Sequence, residues 1–459
     1  MSEPHQLVPA AVKSHAKSAK RFPFAFGPRF FLLLLIGLVW IGPAWVDQRY
    51  LYAIPVWDAV VIAIWFWDLR RLPRPVQLEV HRIWASPVQL ALTATVRIEL
   101  HYYGAVAIAA QLLDDVPTTF RSQAPELSIN ASLKENGSAQ YSVRPRERGD
   151  ARFGDVFLRY QSALRIAERW AVARLAQTIR VYPNLEESKR DTIYLIRSRQ
   201  IAMERRLQPQ RGRGREFESL REYRESDEWR DLCWTATARR GKLISRSYRV
   251  ERSQNVWLVL DTGRLLRTRV LGLSKLDYSA AAALSLAQVA QYSGDRVAML
   301  AYGRRIQQRL PAGRGAVHVR ALLERLSQVR SEELEADHQR AAEMLLSLQK
   351  QRSLVVWLTD LSETATTPEV IESASRLARR HLVLFTVIGQ PELRAALNER
   401  PANAQEMFRY VAAQEVVHRR DVLLRTLRQQ GVLTLEVDPT KLSSAVVNQY
   451  LGAKERSLI

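Results

Sequence analysis

The spacing of apolar positions changes along the chain, and each change predicts a different kind of element. Two nearly unbroken apolar runs come first: Phe30–Val46, reading FFLLLLIGLVWIGPAWV, and Tyr50–Trp67, with only Asp47, Gln48 and Arg49 between them. The first holds no charged residue in 17 positions, about 25 Å of helix at ~1.5 Å per residue and just enough for a thin crossing. Lys13, Lys17, Lys20, Arg21 and Arg29 precede the runs, and Arg70, Arg71 and Arg74 follow them. Positive charge at both ends predicts a two-pass helical hairpin with both ends on the cytoplasmic side. No small-residue cleavage site follows the first run, so a removed signal peptide is not expected. Asp58 interrupts the second run; the expectation is that Pro55 opens the helix and places Asp58 in its first turn, near the far interface.

From Val76 to Tyr182 the period falls to two. The stretches VQLALTATVRIEL, AVAIAAQLL and FGDVFLRYQ alternate or run in β-branched residues, with Gly-containing turn signals between them, which predicts a small antiparallel β-sandwich. Residues 183–252 are dense in charge, include RGRGR, and show no hydrophobic period before Phe217. Beyond them, short apolar runs at 255–261, 295–302, 353–360, 381–388 and 431–437 alternate with segments of helical period. That alternation predicts a mostly parallel sheet with helices on both faces and a hairpin around Gly303. The predicted divisions are therefore a basic tail (1–29), a membrane hairpin (30–72), a β-domain (76–182), a connector (183–252) and an α/β domain (253–459).

Composition sharpens this picture in two ways. The chain of 459 residues is 47% hydrophobic and 25% charged, the balance of folded protein. Its net charge of +21 attracts phosphate, anionic lipid or acidic protein. The single cysteine, Cys233, excludes an intramolecular disulfide; with Trp234 beside it and no adjacent histidine, it reads as a buried thiol.

Candidate chemistry lies at strand ends, where open parallel sheets bind ligands. Two runs end in carboxylates, Asp261 and Asp360. If their strands are neighbours, the side chains converge on one crest and have the oxygen ligands that Mg²⁺ takes. The arrangement resembles the von Willebrand factor A fold, whose metal site uses D-x-S-x-S, a threonine from another loop and a later aspartate. Here Asp261 is followed by Thr262, Gly263, Arg264 and Leu265, so both serines are replaced and a positive charge is introduced. No resident cofactor is expected, and Asp261, Thr262 and Asp360 are expected to serve as a protein-docking crest. No phosphate-binding loop, nucleophile elbow or H-E-x-x-H helix occurs in the sequence, and His318, His338, His381 and His418 read as structural. The chain is not expected to be an enzyme.

The segment LREYRESDEWRDLCWTATAR, 220–239, mixes Tyr223, Trp229 and Trp234 with many charges. Phe217, Leu220 and Tyr223 share helical spacing, so EFESLREYR is expected to form a short amphipathic helix. Arginines stacked on aromatic faces suit a clasp between domains, while the acidic residues in the same patch would repel phosphate. The segment resembles the signature of the bacterial domain of unknown function 58 family, roughly E-F-x-x-L-R-E-Y-x-x-G-D-x-x-R-x-I-D-W-x-x-S-A-R. Glu216, Phe217, Leu220, Arg221, Glu222, Tyr223, Asp227, Arg230, Trp234, Ala238 and Arg239 match it in register, whereas Ser226, Cys233 and Thr237 depart from it. The resemblance implies a protein of the bacterial inner membrane with cytoplasmic domains and a von Willebrand A-like tail. It further implies partnership with a MoxR-type AAA+ ATPase and other von Willebrand A-like proteins in assembling or activating other complexes. A second reading, motivated by the +21 charge, is a basic membrane-tethered binder of nucleic acid or anionic lipid.

Overall fold

In the computed structural model the described residues are 8–19, 23–102, 106–132, 136–184, 216–223, 229, 232–249, 254–360, 368–456 and 458. The chain divides into two compact units, Met1–Asn184 and Leu185–Ile459. The architecture is mixed α/β, with the first unit rich in sheet.

The first unit opens with β1 (Val12–Ser18) and β2 (Phe24–Phe26), inside the stretch read from sequence as a basic tail. Three helical segments follow, α1 (Pro28–Gly37), α2 (Ile41–Ala44) and α3 (Ala53–Arg71). Helical backbone over Gln48–Arg71 is long and apolar enough to cross a membrane by length and composition, while Pro28–Pro43 is apolar but shorter. Trp57 Nε1 donates to the Leu33 carbonyl at 2.9 Å, laying α3 beside α1. The contact requires glycine at 37, because a Cβ there would stand 2.5 Å from Trp57 Cδ1. Pro55 does not open the helix: α3 starts at Ala53, after a 3-10 turn over Gln48–Tyr52, so Asp58 lies in its second turn. The apolar side chains of this pair are largely uncovered, with Val39, Trp45 and Val46 71%, 90% and 91% exposed.

The foot of α3 is tied to the sheet below it. Asp68 is buried and accepts from Ser162 Oγ at 2.7 Å and from the Ala167 amide at 3.0 Å. That sheet contains β3 (Leu78–Trp84), β4 (Ala94–Tyr102), β5 (Ile108–Asp114), β6 (Glu126–Ala131), β7 (Gly137–Val143), β9 (Val156–Ser162) and β10 (Ala167–Ala173), while β8 (Gly149–Phe153) and β11 (Gln177–Val181) pair separately. The order is β6-β5-β9-β10-β1-β3-β4-β7. Ala16–Ser18 of β1 pair with β10 and Val12–His15 pair with β3, both antiparallel, so the two halves of the sheet share this strand. Strict alternation of buried and half-exposed residues along β3 sets Leu78, Val80, Arg82 and Trp84 inward and Glu79, His81 and Ile83 outward. The inward Arg82 is paired with Asp114.

In the second unit, β12 (Glu216–Glu222) and β13 (Ile244–Arg249) pair antiparallel around a short helix, α4 (Trp234–Arg240). EFESLREYR is thus mainly a strand and not the amphipathic helix its spacing suggested: ladder bonds to β13 replace intrahelical ones. The remainder is built on β14 (Asn255–Asp261), a two-residue hairpin of β15 (Arg269–Val270) and β16 (Leu273–Ser274), α5 (Lys275–Tyr292), β17 (Arg296–Tyr302), β18 (Ile306–Gly313), α6 (Ala316–Gln328), α7 (His338–Leu348), β19 (Leu354–Thr359), α8 (Pro368–Ala378), β20 (Leu382–Ile388), α9 (Pro391–Asn398), α10 (Ala404–Gln429), β21 (Leu433–Val437) and α11 (Leu442–Glu455). The strand order is β18-β17-β14-β19-β20-β21, parallel except for the β17–β18 hairpin. Order reverses between β17 and β19 on either side of β14, which is where such sheets place a ligand. Every residue of β19 is buried, as is every residue of β14 after Asn255, so these strands read as continuous apolar runs.

Candidate functional site

Asp261 ends β14 and Asp360 follows β19, and the two strands are parallel neighbours in register from Val256↔Leu354 to Leu260↔Leu358. The two carboxylates therefore share one end of the sheet, because the strands meet the condition of adjacency on which their convergence depended. Asp261 Oδ1 accepts from the Gly263 amide at 2.7 Å, and Oδ2 accepts from Thr359 Oγ1 at 2.6 Å. Burial pushes the Asp261 carboxyl above the ordinary range, opposed by His338 and these two donors and reinforced by Asp360.

Asp360 faces two protein cations. Lys275 Nζ donates to Asp360 Oδ2 at 2.5 Å and to the Ile388 carbonyl at 3.4 Å. Arg420 approaches Asp360 Oδ1 at 3.6 Å and donates to Glu436 at 3.1 Å. Both cations are buried, with Lys275 0% and Arg420 2% exposed. The joint thus links α5, β19, α10 and β21.

The position of Lys275 follows from local sequence. Ser274 caps α5 by accepting from the Asp277 amide, while Asp277 accepts from the Ser274 amide at 2.9 Å, closing a capping box. This fixes Lys275 as the first helical residue. A cation there opposes the helix dipole, and Asp360 supplies the compensating charge. Burial lowers the Lys275 pKa and Asp360 raises it; the net direction is down.

The residues present do not fit Mg²⁺. Asp261 has both oxygens engaged by protein donors, Asp360 carries an ammonium, and the two serine hydroxyls of the resembled motif are replaced by Gly263 and Leu265. A hard divalent ion needs several free oxygens, and the crest offers an internal cation instead. Arg264, expected near the ion, pairs outward with Glu335 at 3.0 Å.

The expected docking crest is also corrected in part. Asp261, Thr262 and Asp360 are 3%, 0% and 1% exposed, so these side chains cannot themselves meet a partner. Thr262 Oγ1 accepts from Gln307 at 3.0 Å. What the crest does present is the β15–β16 turn between Asp261 and Lys275. Val270 pairs with Leu273, leaving Leu271 and Gly272 as a two-residue turn with φ of 52° and 86°. Leu271 is 82% exposed. Turns of this kind need positive φ at both central residues and favour Asn-Gly, so an exposed leucine there is costly for the fold. The sequence signal was the VLGL run, which reads as apolar continuity unless the hairpin is seen.

Asp261→Asn tests whether this carboxylate is structural. With its pKa raised on folding, ionised Asp261 destabilises the native state above the folded pKa, and the penalty disappears as pH falls toward the unfolded value. The asparagine variant lacks that penalty at every pH. Its stability relative to the parent should rise with pH above about 4 and level off, measured by urea unfolding from pH 4 to 8.

The signature segment folds locally. Leu232, Cys233, Ile244 and Ser245 are buried, and the Cys233 amide donates to the Ile244 carbonyl at 2.8 Å. Cys233 is buried, as expected. The Tyr223 and Trp229 rings lie 5.7 Å apart. Trp229 and Trp234 are 68% and 64% exposed. Glu222 pairs with Lys242 at 3.2 Å in the open, a contact worth little. Arg221 lies in β12 and Arg239 in α4, whereas Asp227, Arg230 and the RGRGR run lie outside the described residues.

Histidines read as structural do bond locally: His338 Nδ1 lies 2.8 Å from Tyr302 Oη, His318 Nε2 2.7 Å from the Val297 carbonyl and His381 Nδ1 3.1 Å from Ser353 Oγ.

No curated protein matches the chain. Among solved structures it is similar to the conserved hypothetical protein BatB from Bacteroides thetaiotaomicron, at 14% identity over 44% of this chain and 100% of that one, with a TM-score of 0.29. It is similar to an aerotolerance-related membrane protein from Bacteroides fragilis at 12% identity over 44% of this chain and 99% of that one, with a TM-score of 0.28. It is also similar to an uncharacterized membrane spanning protein from Vibrio fischeri at 14% identity, over 44% and 100%, with a TM-score of 0.18. The family described as "Protein of unknown function DUF58" matches residues 219–395. That segment, which is similar to the DUF58 family, runs from β12 into α9 and contains the Lys275–Asp360 joint.

Proposed function

We propose that this protein is a non-enzymatic, membrane-anchored adaptor that docks a MoxR-type AAA+ ATPase and helps assemble or activate other complexes, together with other von Willebrand A-like proteins. The observation that carries the reading is the ammonium of Lys275 seated on Asp360 at 2.5 Å. In a von Willebrand A-like unit that position belongs to a metal and its ligand; here a covalent cation makes the crest permanently set, which suits a rigid docking scaffold. The apolar, uncovered helices of the first unit support an anchor. Lys13, Lys17 and Arg29 before them and Arg70, Arg71 and Arg74 after them favour a two-pass hairpin with cytoplasmic domains on an inner membrane. The exposed Trp229 and Trp234 suit a clasp or a second contact surface.

Leu271 is the proposed docking knob. Leu271→Asn is expected to hold or raise stability, because Asn-Gly suits the turn, while removing an apolar contact. The test is a pull-down of the detergent-solubilised full chain from native membranes with ATP or ADP, read by mass spectrometry. Nucleotide-dependent recovery of an AAA+ ATPase by the parent, reduced at least about tenfold in Leu271→Asn as for an apolar hot spot, supports the reading. No AAA+ ATPase with the parent sinks the adaptor proposal; equal recovery with both sinks the role of Leu271. Recovery of nucleic-acid-associated proteins, lost on nuclease treatment, would transfer the weight to the +21 charge.

A further inference from the structure

On the outer face of the first unit, two copies of the same short pattern are set against each other. β3 carries Glu79-Val80-His81 and β4 carries Glu99-Leu100-His101. The period of two puts each Glu and His on the same face. The antiparallel register pairs Glu79 with His101 and His81 with Glu99, so two histidines and two glutamates form a square with approximate two-fold symmetry.

The side chains converge further than the register requires. One ligand atom each from His81, Glu99 and His101 lies within 4.8 Å of the others, and all three residues are half-buried. The imidazoles are stacked, with centroids 4.3 Å apart and planes at 16°. His101 Nε2 is 3.3 Å from Glu99 Oε2. His81 Nε2 is buried and makes no hydrogen bond of acceptable geometry, although Glu79 Oε1 lies 3.3 Å away. A buried ring nitrogen set among carboxylates is available as a ligand.

From these contacts the geometry points to a transition-metal site of Zn²⁺ type, with His81, His101 and Glu99 as ligands and Glu79 as fourth ligand or outer-shell acceptor. Imidazole and carboxylate suit Zn²⁺ and its first-row neighbours, whereas Mg²⁺ and Ca²⁺ prefer oxygen alone. Tetrahedral ligands at about 2.0–2.1 Å from the metal stand roughly 3.3 Å from one another. The ligand atoms must therefore close by about 1.5 Å at most and the stacked rings must turn so that both lone pairs meet at the metal, movements that rotation of half-buried side chains supplies. The outer shell is present as well: Asn136 Nδ2 lies 3.3 Å from His101 Nδ1. Once Nε2 is on a metal, Nδ1 carries the proton, and the Asn136 amide need only turn over to accept from it.

An alternative is an ordinary network of ionised histidines and glutamates. Burial pushes the Glu79 carboxyl up, but His81, Lys13 and His15 pull it further down, and the net direction is below the usual range. Lys13 lies 3.6 Å from Glu79 and is 70% exposed, so it competes for this carboxylate and is free to swing away. The two cases differ in metal uptake, and the inference does not rest on the adaptor reading.

The test uses the full chain in detergent, stripped with chelator and titrated with Co²⁺, whose visible absorption reports coordination geometry, followed by displacement with Zn²⁺. One Co²⁺ per chain with a tetrahedral spectrum, displaced by Zn²⁺, is expected. His81→Ala and His101→Ala should each weaken uptake by at least about tenfold, and Asn136→Ala by about 10–100-fold as an outer-shell change. Glu99→Gln, which keeps the side-chain shape, serves if a histidine variant fails to fold by circular dichroism, and should also weaken uptake about tenfold or more. Absence of stoichiometric uptake, or uptake unchanged in a folded His81→Ala/His101→Ala or Glu99→Gln variant, overturns the site.

Discussion

Replacing Lys275 by methionine is expected to destabilise the α/β unit by about 3–5 kcal/mol, because removing one partner of a buried ion pair strands the other. Asp360 retains Arg420 at 3.6 Å, so this variant should fall at the lower end of that range. Asp360→Asn should be worse, since it removes the carboxylate between Lys275 and Arg420, both buried, and leaves Arg420 with Glu436 at 3.1 Å but Lys275 without its partner. The double variant should cost less than the sum of the two singles, as contacting residues do not add. Urea unfolding of the full chain, followed by tryptophan fluorescence, reads all three; Trp357 is fully buried in this unit. A cost below about 1 kcal/mol for both single variants, the scale of exposed pairs, would mean that the ion pair is not buried. Added Mg²⁺ should leave the parent's midpoint unchanged, since the ammonium already occupies Asp360.

The second large effect is expected in the first unit. Arg82 and Asp114 are both completely buried and joined by two hydrogen bonds, one of them Nε to Oδ2 at 3.1 Å. Arg82 also donates to the Leu175 and Gly154 carbonyls at 2.8 and 2.9 Å, and Tyr141 Oη donates to Asp114 at 2.5 Å. This fork–fork geometry uses the guanidinium plane, which lysine lacks. Asp114→Ala strands the guanidinium and should cost about 3–5 kcal/mol. Tyr141→Phe removes one hydrogen bond to a charged group and should cost about 1.5–3 kcal/mol. Arg82→Lys should not rescue the arginine. Thermal unfolding distinguishes the ranks: an Arg82→Lys variant as stable as the parent would show that charge alone, without the fork, holds β3 to β5.

Much of the second unit was legible in the sequence. The apolar runs read at 255–261, 295–302, 353–360, 381–388 and 431–437 are strands within two residues at each end, because a strand buried on both faces must be apolar at every position. The hairpin around Gly303 was legible for a similar reason: its signal is local. The errors share a cause. Phe217, Leu220 and Tyr223 have helical spacing, but their backbone partners lie on β13, more than twenty residues on. Val12–Ser18 looks like a charged tail because lysines and histidine alternate with small residues, yet its backbone fills the place between β10 and β3.

The candidate sites divide in the same way. Sequence by itself determined that two strands end in carboxylates, that serines are missing from the loop after Asp261, and that an apolar, basic-flanked segment lies near the start of the chain. These are consequences of hydrophobic period and residue identity, which act over a few positions. Only the tertiary structure decided what faces those carboxylates. Lys275 is 85 positions from Asp360, and nothing in local pattern marks it as an internal cation; it becomes one because the capping box starts α5 against the end of β19. Glu79-x-His81 and Glu99-x-His101 are likewise unremarkable singly, and become a square of ligands only through antiparallel register. Charge compensation and ligand convergence depend on distance in space, which is set when the sheets close.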